Sequence, residues 1–290
     1  ITGRVAAGHP LERSAHRGEA LSIFTGAQIP TGELSDGPDT IFMLEDVTLE
    51  ENSVILPPGQ LKGSNIRKAG EDVMKGDVVL KLGQRLRPQD VGMAAAIGLS
   101  KLIVRKKLKV AVFSTGDEIR DPGNKLDDAA IYDINRHTIR SLLQNLNCQT
   151  TDLGIFPDDP IHIREAIQEA AEGNDLLITS GGVSKGEEDH VRPAIESLGE
   201  LHIWNILIKP GRPIALGFVL DGAREVPIIG LPGNPVAVLV TFLRIARPII
   251  LLLAGAKEIE PNLFQVQAGF TISKKPGRRE WLRACLRKDK

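Results

Sequence analysis

The chain of 290 residues is long enough to bury a large core and to form more than one domain. Its apolar fraction of 42% and charged fraction of 25% are typical of folded proteins and exclude a mainly disordered chain. A formal net charge of −1 argues against broad binding of nucleic acid or of an anionic membrane. The cysteines lack a metal-binding spacing, and no basic segment followed by an apolar one opens the chain. We therefore expect a cytoplasmic protein with free thiols and without nucleic-acid or membrane partners.

Residues 1–105 are predicted to form a small β-rich domain that ends in a linker helix. Short apolar runs broken by Gly and Pro indicate its strands, namely ALSIF, DTIFML, SVILP and DVVLKL. The run RPQDVGMAAAIG (87–98) indicates the helix, because Pro88 suits a first helical turn.

Residues 106–256 alternate between strand-like and helix-like segments. The strand-like segments are LKVAVFST, TTDLGIF, NDLLITS, HIWNILI, IALGFVL and VPIIG. Helices are predicted in INRHTIRSLLQNLN, with Asn135 as N-cap, at 161–172 and in DHVRPAIESLG. This alternation predicts an α/β domain with a mostly parallel open sheet and flanking helices.

The most apolar stretch, residues 236–255, includes Arg244 and Arg247 near its middle. Arginines at that depth make a membrane-spanning helix expensive, so we expect a buried helix that begins at Asn234. The tail at 257–290 turns β-like and basic, and it is predicted to be the start of a truncated C-terminal β domain.

Four turns follow predicted strands, where open α/β sheets bind ligands. They are Ser114–Glu118, Pro157–Pro160, Ser180–Asp189 and Gly230–Pro235. The first three carry acidic side chains, which suit a hard cation such as Mg²⁺ together with substrate phosphate. The glycine turn SGGVSKGEED could hold that phosphate at a helix N-terminus. Taken singly, each turn is better explained as a helix cap or a bend, and the prediction of a site rests on the edge of the sheet that the four turns share.

Named nucleotide motifs are absent. Gly181 and Gly186 have the end spacing of a Walker A loop, but Glu187 and Glu188 stand where Lys and Ser/Thr are required. A cationic turn, KPGRP (209–213), either faces the acidic turns or is a solvated surface hairpin. The residues alone therefore predict a Mg²⁺-assisted site for a phosphorylated or oxyanionic ligand, without naming the reaction.

These motifs resemble the MoeA/gephyrin E-domain family in order and spacing. The resemblance rests on STGDEI (114–119), YDINR (132–136), SGGVSKGEED (180–189), KPGRP (209–213) and GLPGNP (230–235). In the first hundred residues, Thr25-Gly26-Ala27, Gly70-Glu71-Asp72 and Lys75-Gly76-Asp77 resemble the lid domain of that family.

The resemblance implies a molybdopterin molybdenumtransferase of molybdenum cofactor biosynthesis. Its substrates would be adenylylated molybdopterin and molybdate, its product besides the cofactor would be AMP, and Mg²⁺ or alternatively Zn²⁺ would assist. The resemblance also implies a homodimer in which the lid serves the partner's site in trans, and an encounter with the molybdopterin adenylyltransferase. The alternatives are adenylylation of molybdopterin by ATP, a gephyrin-like scaffold and a tungstate-selective paralogue.

Site residues carry over by position. The functional acids, which we expect to be catalytic, fall on Asp189, Glu118, Asp158 and Asp72, and the metal falls on Asp189 and Glu118. The expected substrate-binding residues are Thr25, Ser180, Gly181, Gly182, Ser184, Lys209, Arg212, Gly233 and Asn234. Position 205 departs from the pattern, because Asn205 stands where some relatives have a second lysine. An upstream Asp-Gly-Tyr segment that the resemblance leads us to expect is also absent.

Overall fold

A computed structural model describes residues 1–33, 37–183, 186, 189–274 and 276–287. The chain divides into two compact units, Ile1–Val79 and Leu80–Lys290.

The first unit is β-rich but built of short strands. They are β1 (Gly3–Val5), β2 (Leu21–Ile23), β3 (Thr48–Leu49) and β4 (Val54–Ile55), with a 3₁₀ turn at Leu44–Asp46. β1 pairs with β2 in parallel, and β3 pairs with β4 antiparallel.

Two of the four predicted strands in this region are wrong, because DTIFML and DVVLKL contain none. Loop residues satisfy the backbone of Ile41, whose N–H donates to Ser64 O (3.1 Å) and whose carbonyl accepts from Asn65 Nδ2 (2.7 Å). Because loop residues already satisfy these backbone groups, they are not available for pairing with a neighbouring strand.

The second unit contains one six-stranded sheet and six α-helices among its described residues. The helices are α1 (Pro88–Ala96), α2 (Ile134–Asn145), α3 (Pro160–Ala171), α4 (Val191–Leu198), α5 (Pro235–Thr241) and α6 (Arg247–Leu253). The sheet strands are β5 (Lys109–Thr115), β8 (Gln149–Phe156), β9 (Leu176–Ser180), β10 (Gly199–Trp204), β12 (Ala215–Asp221) and β13 (Arg224–Leu231). Short strands form two further pairs, β6 (Ile119–Arg120) with β7 (Ile131–Tyr132), and β11 (Ile208–Lys209) with β14 (Arg279–Glu280).

The strand order β10-β12-β13-β9-β5-β8 creates a switch point. From β5 the chain crosses through α2 to β8 on one side and then through α3 to β9 on the other. The pairs β13–β9, β9–β5 and β5–β8 are parallel, whereas β12 pairs antiparallel with both β10 and β13. The α/β prediction is confirmed, and the crevice of such a sheet lies beyond the carboxyl ends of β5 and β9.

Each face of the sheet carries its own core. On one face α3 and α4 pack through residues that include Ile163, Ile167 and Ile195. On the other, α2 packs through Ile139 and Leu143. The alternation of side chains along β5 feeds both cores, since Phe113 faces the first and Val112 the second.

The apolar helix predicted from Asn234 spans Pro235–Leu253, with a π-helical stretch at Phe242–Ala246 joining α5 to α6. By length and composition alone it could cross a membrane. One of its faces nevertheless belongs to the second core, where Val238, Phe242, Ala246 and Ile250 are at most 1% exposed. This is the packing expected of a helix that covers a sheet.

Two local predictions are corrected. The N-cap of α2 is Asp133, whose side chain accepts from Arg136 N (3.0 Å), and Asn135 lies inside the helix. The β-like tail forms one strand among its described residues, Arg279–Glu280, because only that piece finds a partner, in β11. The predicted helix at 87–98 is confirmed, with Pro88 in its first turn.

Candidate functional site

The glycine turn after β9 lies at the switch point and presses against the end of β5. Gly181 and Gly182 have φ of +95° and +63°. A Cβ on Gly181 would lie 2.7 Å from Thr115 O, and one on Gly182 would lie 2.7 Å from Thr115 Oγ1. Only glycine allows both the left-handed backbone and this close approach.

Buried hydroxyl groups lie at the ends of β5 and β9, next to the glycine turn. Within the described residues, Ser114 Oγ, Thr115 Oγ1 and Thr179 Oγ1 are buried without a hydrogen-bond partner in the protein. They come from the last residues of β5 and β9. Buried polar groups are normally satisfied, so this end of the sheet has unused capacity for polar contacts.

The two acidic turns after β5 and β8 are joined by hydrogen bonds from backbone N–H groups to side-chain carboxylates. Asp117 N donates to Asp158 Oδ2 and Asp158 N donates to Asp117 Oδ1, both at 3.1 Å. This reciprocal pair links two turns that are 41 residues apart along the chain. The sheet therefore brings together the acids that the sequence predicted for these turns.

The surroundings of Asp158 raise the pKa of its carboxyl group. Burial raises its pKa above the ordinary value, and the charges of Asp117 and Glu118 raise it further, against the lowering effects of the Asp117 N–H and of His190. Asp158 is half-buried, whereas Glu118 is exposed. A surplus of negative charge at this rim favours a cation or a proton.

Asp189 closes the far end of the glycine turn. Its Oδ2 accepts from Gly186 N (2.6 Å), and its own N–H donates to Gly186 O (3.2 Å). One carboxylate oxygen is thus fixed by the turn, while Oδ1 bonds to none of the residues that the structure describes. Ser184 lies outside the described residues.

Glu118 and Asp189 could bind a metal ion only if substrate or water oxygens supplied its other ligands. No three His, Cys, Asp or Glu side chains in the described part of the chain are placed to hold a metal ion. Mg²⁺ accepts one or two carboxylates when water and phosphate oxygens supply its remaining ligands. The oxygen donors of Glu118 and Asp189 match that preference.

The cationic turn has a partner that the sequence did not suggest. The ammonium of Lys209 lies 3.2 Å from Glu280 Oε1, because β11 pairs with β14 in parallel. The side chain of Lys209 is 61% exposed and that of Glu280 is 16% exposed. Arg212 is exposed in the same turn. Lys209 therefore remains open to solvent on one side.

A cavity of about 680 Å³ adjoins this turn. Pro210 and Val236 line it from the sheet domain, and Trp281 and Arg283 line it from the C-terminal segment. The guanidinium of Arg244 lies 5.5 Å from the ring centre of Trp281, which orients the indole.

The remaining predicted residues of the second unit hold turns together. Asn234 is the N-cap of α5, with Oδ1 accepting from Val236 N (3.0 Å) and Ala237 N (3.1 Å). Ser180 is buried and its Oγ donates to Pro232 O (3.1 Å). Gly233 O accepts from the Asn135 side chain (2.7 Å).

Thr25 and Asp72 belong to the first unit, outside the sheet that carries the other acids. Thr25 is exposed. The carboxylate of Asp72 pairs with Arg67 at 2.9 Å, with both side chains largely in solvent. Their expected service to a site in the second unit stays a prediction.

Three side chains around the site were missed as site residues. Asn135 was predicted as a cap and counted in the YDINR motif, but it was given no role in the site. Glu280 lies in a tail without a motif, and Trp204 was counted within a strand. Trp204 Nε1 donates to the carbonyl of Val183 in the glycine turn (2.9 Å), and the Arg192 guanidinium lies 4.2 Å from its ring centre. For Asn135 the available signals were a polar residue at the start of a predicted helix and its place in YDINR, whereas Glu280 and Trp204 offered none.

Family profiles match most of the chain. One described as "Probable molybdopterin binding domain" matches residues 111–251, and one described as "MoeA N-terminal region (domain I and II)" matches residues 2–98. The first covers the parallel part of the sheet from Ala111 onward, and the second covers the β-rich first unit from Thr2.

Known proteins match across both units. The molybdopterin molybdenumtransferase of Haemophilus influenzae is 41% identical over 289 residues, which cover 98% of this chain and 68% of that protein. That of Nostoc sp. is 32% identical and covers 92% and 61%. The crystal structure of the molybdopterin biosynthesis MoeA protein from Pyrococcus horikosii superposes with a TM-score of 0.66 at 32% identity, covering 88% and 62%. The chain thus spans about three fifths to two thirds of the length of these relatives.

Proposed function

Because the chain belongs to the molybdopterin molybdenumtransferase family, we propose that it inserts molybdate into adenylylated molybdopterin and releases AMP. The observation that carries this proposal is the glycine turn at the switch point, with acidic turns linked by hydrogen bonds beside it. A pyrophosphate needs close backbone approach, which Gly181 and Gly182 permit. A metal that bridges such a phosphate needs carboxylates nearby.

Asp189 and Glu118 would hold Mg²⁺ or Zn²⁺, with substrate oxygens completing the shell. When bound, the ion supplies charge neutralisation at the phosphoanhydride whose hydrolysis yields AMP. Asp189 Oδ2 accepts from Gly186 N, which orients the carboxylate so that Oδ1, unbonded among the described residues, could bind the ion. Ser180, Gly181, Gly182, Gly233 and Asn234 would shape the phosphate and pterin contacts around the turn.

Lys209 and Arg212 would attract molybdate, the substrate oxyanion. Both lie in the rigid KPGRP turn, and Lys209 remains open to solvent beside an apolar cavity. Asp158 would shape the cleft and hold the turn of Asp117 in place. Asp72 and Thr25 would act from the lid, in trans within a homodimer.

The molybdopterin adenylyltransferase would hand over the adenylylated substrate, and the reaction would take place in the cytoplasm. The relatives named as molybdenumtransferases match both units, which supports insertion over adenylylation by ATP and over a gephyrin-like scaffold. The choice between molybdate and tungstate needs a direct comparison of the two oxyanions.

The test follows AMP release from adenylylated molybdopterin in the presence of Mg²⁺ and molybdate. We expect Asp189→Asn to lower the rate by at least tenfold, because the loss of one ligand charge weakens metal binding. Glu225→Gln is the matched control. Glu225 is exposed at the amino end of β13, whereas the site lies at the carboxyl ends of the parallel strands.

An equal rate for Asp189→Asn and Glu225→Gln would remove Asp189 from the site. Consumption of ATP that depends on molybdopterin, needs no molybdate and releases pyrophosphate would instead favour adenylylation. Binding of a partner protein by a chain that shows no turnover would favour the scaffold.

A further inference from the structure

The side chain of Asn135 joins two turns of the site from inside α2. Its Nδ2 donates to Ser180 Oγ (2.8 Å) and to Gly233 O (2.7 Å). A side-chain amide has two N–H donors, and both are used here. Ser180 ends β9 and Gly233 follows β13, so one amide bridges the ends of two neighbouring strands.

The bridge continues through Ser180. Its hydroxyl accepts from Asn135 and donates to Pro232 O (3.1 Å), while Gly181 N donates to Leu231 O (3.2 Å). Three consecutive carbonyl groups of GLPGNP, those of Leu231, Pro232 and Gly233, therefore accept hydrogen bonds from Gly181, Ser180 and Asn135. The bond from Asn135 Nδ2 is the one farthest from the end of β13.

The position of the Asn135 side chain favours the hydrogen bonds that its Nδ2 donates over any bond to its Oδ1. Asn135 Oδ1 is buried without a hydrogen-bond partner among the described residues. A residue kept only for local helix stability would not bury an unsatisfied carbonyl, because that costs free energy. The helix is already capped by Asp133, so Asn135 is not needed for its N-terminus.

We propose that Asn135 is a positioning residue for the reaction: its amide holds the glycine turn and the GLPGNP turn in the spacing that the substrate requires. This inference rests on the proposed function for its kinetic consequence. The physical tie itself can be tested without turnover.

Asn135→Asp is the sharpest variant, because it keeps the size and replaces the donor NH₂ with an acceptor oxygen. At neutral pH its carboxylate faces the Gly233 carbonyl and can bond Ser180 only if that hydroxyl abandons Pro232. Asn145→Asp is the matched control, since Asn145 is exposed at the other end of the same helix.

We expect Asn135→Asp to lower kcat for AMP release at least tenfold at neutral pH. The KM for molybdate should stay within twofold of the wild-type value, because Lys209 lies in a different turn. The ratio of variant to wild-type rate should rise as the pH falls towards 4.5, because the protonated acid regains one donor. A general folding defect would not recover on acidification.

A second readout uses the two tryptophans of the chain. After labelling with 5-fluorotryptophan, Asn135→Asp should shift the ¹⁹F resonance of Trp204, which donates to Val183 O in the glycine turn. The resonance of Trp281 and both resonances of Asn145→Asp should stay in place. Should Asn135→Asp fail to fold, Ser180→Ala removes the same bridge and should also shift Trp204.

The outcomes separate the two proposals. Unchanged kcat and an unmoved Trp204 resonance in Asn135→Asp would overturn the positioning role. A shifted Trp204 resonance with no AMP release by the wild-type protein would instead contradict the proposed function and leave the tie between the turns established.

Discussion

At the scale of single residues, Asp158 shows how a site can oppose stability. Its pKa is raised in the folded protein by burial and by its acidic neighbours Asp117 and Glu118. An acid with a raised folded-state pKa binds its proton more tightly when folded. The free energy of unfolding therefore falls as pH rises from about 3.9, the value for an unfolded Asp, through the raised value.

Asp158→Asn should consequently raise Tm at pH 7, and this gain should vanish towards about pH 2.5, where both states of the wild-type residue are protonated. Thermal unfolding followed by circular dichroism at both pH values measures this. Asp159→Asn is the control, because Asp159 caps α3 and Asn caps equally well. A lower Tm for Asp158→Asn at pH 7 would contradict the effect. AMP release should drop in the same variant.

Glu280 tunes the cation that we expect to attract molybdate. Since Lys209 is largely exposed, its pair with Glu280 contributes only about 0–1 kcal/mol to stability. Removing the negative charge should strengthen the field at the Lys209 ammonium.

Glu280→Gln should lower the KM for molybdate several-fold without changing Tm, and the gain should shrink in high salt. Lys209→Gln should raise that KM, and adding Glu280→Gln to it should bring no benefit. If Glu280→Gln left KM unchanged at low salt, Lys209 would not be an anion contact.

At the scale of elements, Arg136 fastens α2 to its surroundings. Its side chain is 4% exposed, and it pairs with Asp133 at 2.9 Å and also with Asp121 and Asp152. These partners come from the helix cap, from the segment between β6 and β7, and from β8. One guanidinium thereby fixes the segment that follows the STGDEI turn.

Arg136→Leu should destabilise the protein by about 3–5 kcal/mol, because it leaves the buried carboxylate of Asp133 without a counter-charge. Urea unfolding provides the measurement, with Arg140→Leu as the comparison, since Arg140 is 41% exposed and its acidic partner in the described part of the chain is Asp152. Equal losses for the two variants would show that burial of the network does not matter.

At the scale of the whole molecule, both core clusters and the entire six-stranded sheet come from residues of the second unit. Residues 80–290 should therefore fold without the first unit. We expect the isolated fragment to unfold cooperatively, with the same Tm as the sheet domain in the full chain. A fragment without a cooperative transition would show that the first unit is needed for folding.

Local pattern was enough to place the large elements. The apolar runs of β5, β8 and β9 and the apolar face of α2 depend on neighbours in the chain, so the α/β class could be predicted. The glycine turn and the acids of the turns 114–118 and 157–160 could also be predicted to lie close together, because the carboxyl ends of parallel strands share an edge of the sheet. Short runs such as DTIFML misled, since a strand exists only where a partner offers a ladder.

What the sequence by itself determined is the sheet, its turns and the acid-bearing rim, since these follow from residue spacing along single elements. The tertiary structure alone decided the reciprocal bonds of Asp117 and Asp158, the pair of Lys209 with Glu280, and the reach of Asn135 to Ser180 and Gly233. These contacts join residues 41 to 98 positions apart. No local periodicity encodes a hydrogen bond over such separations, because its geometry depends on how the elements pack.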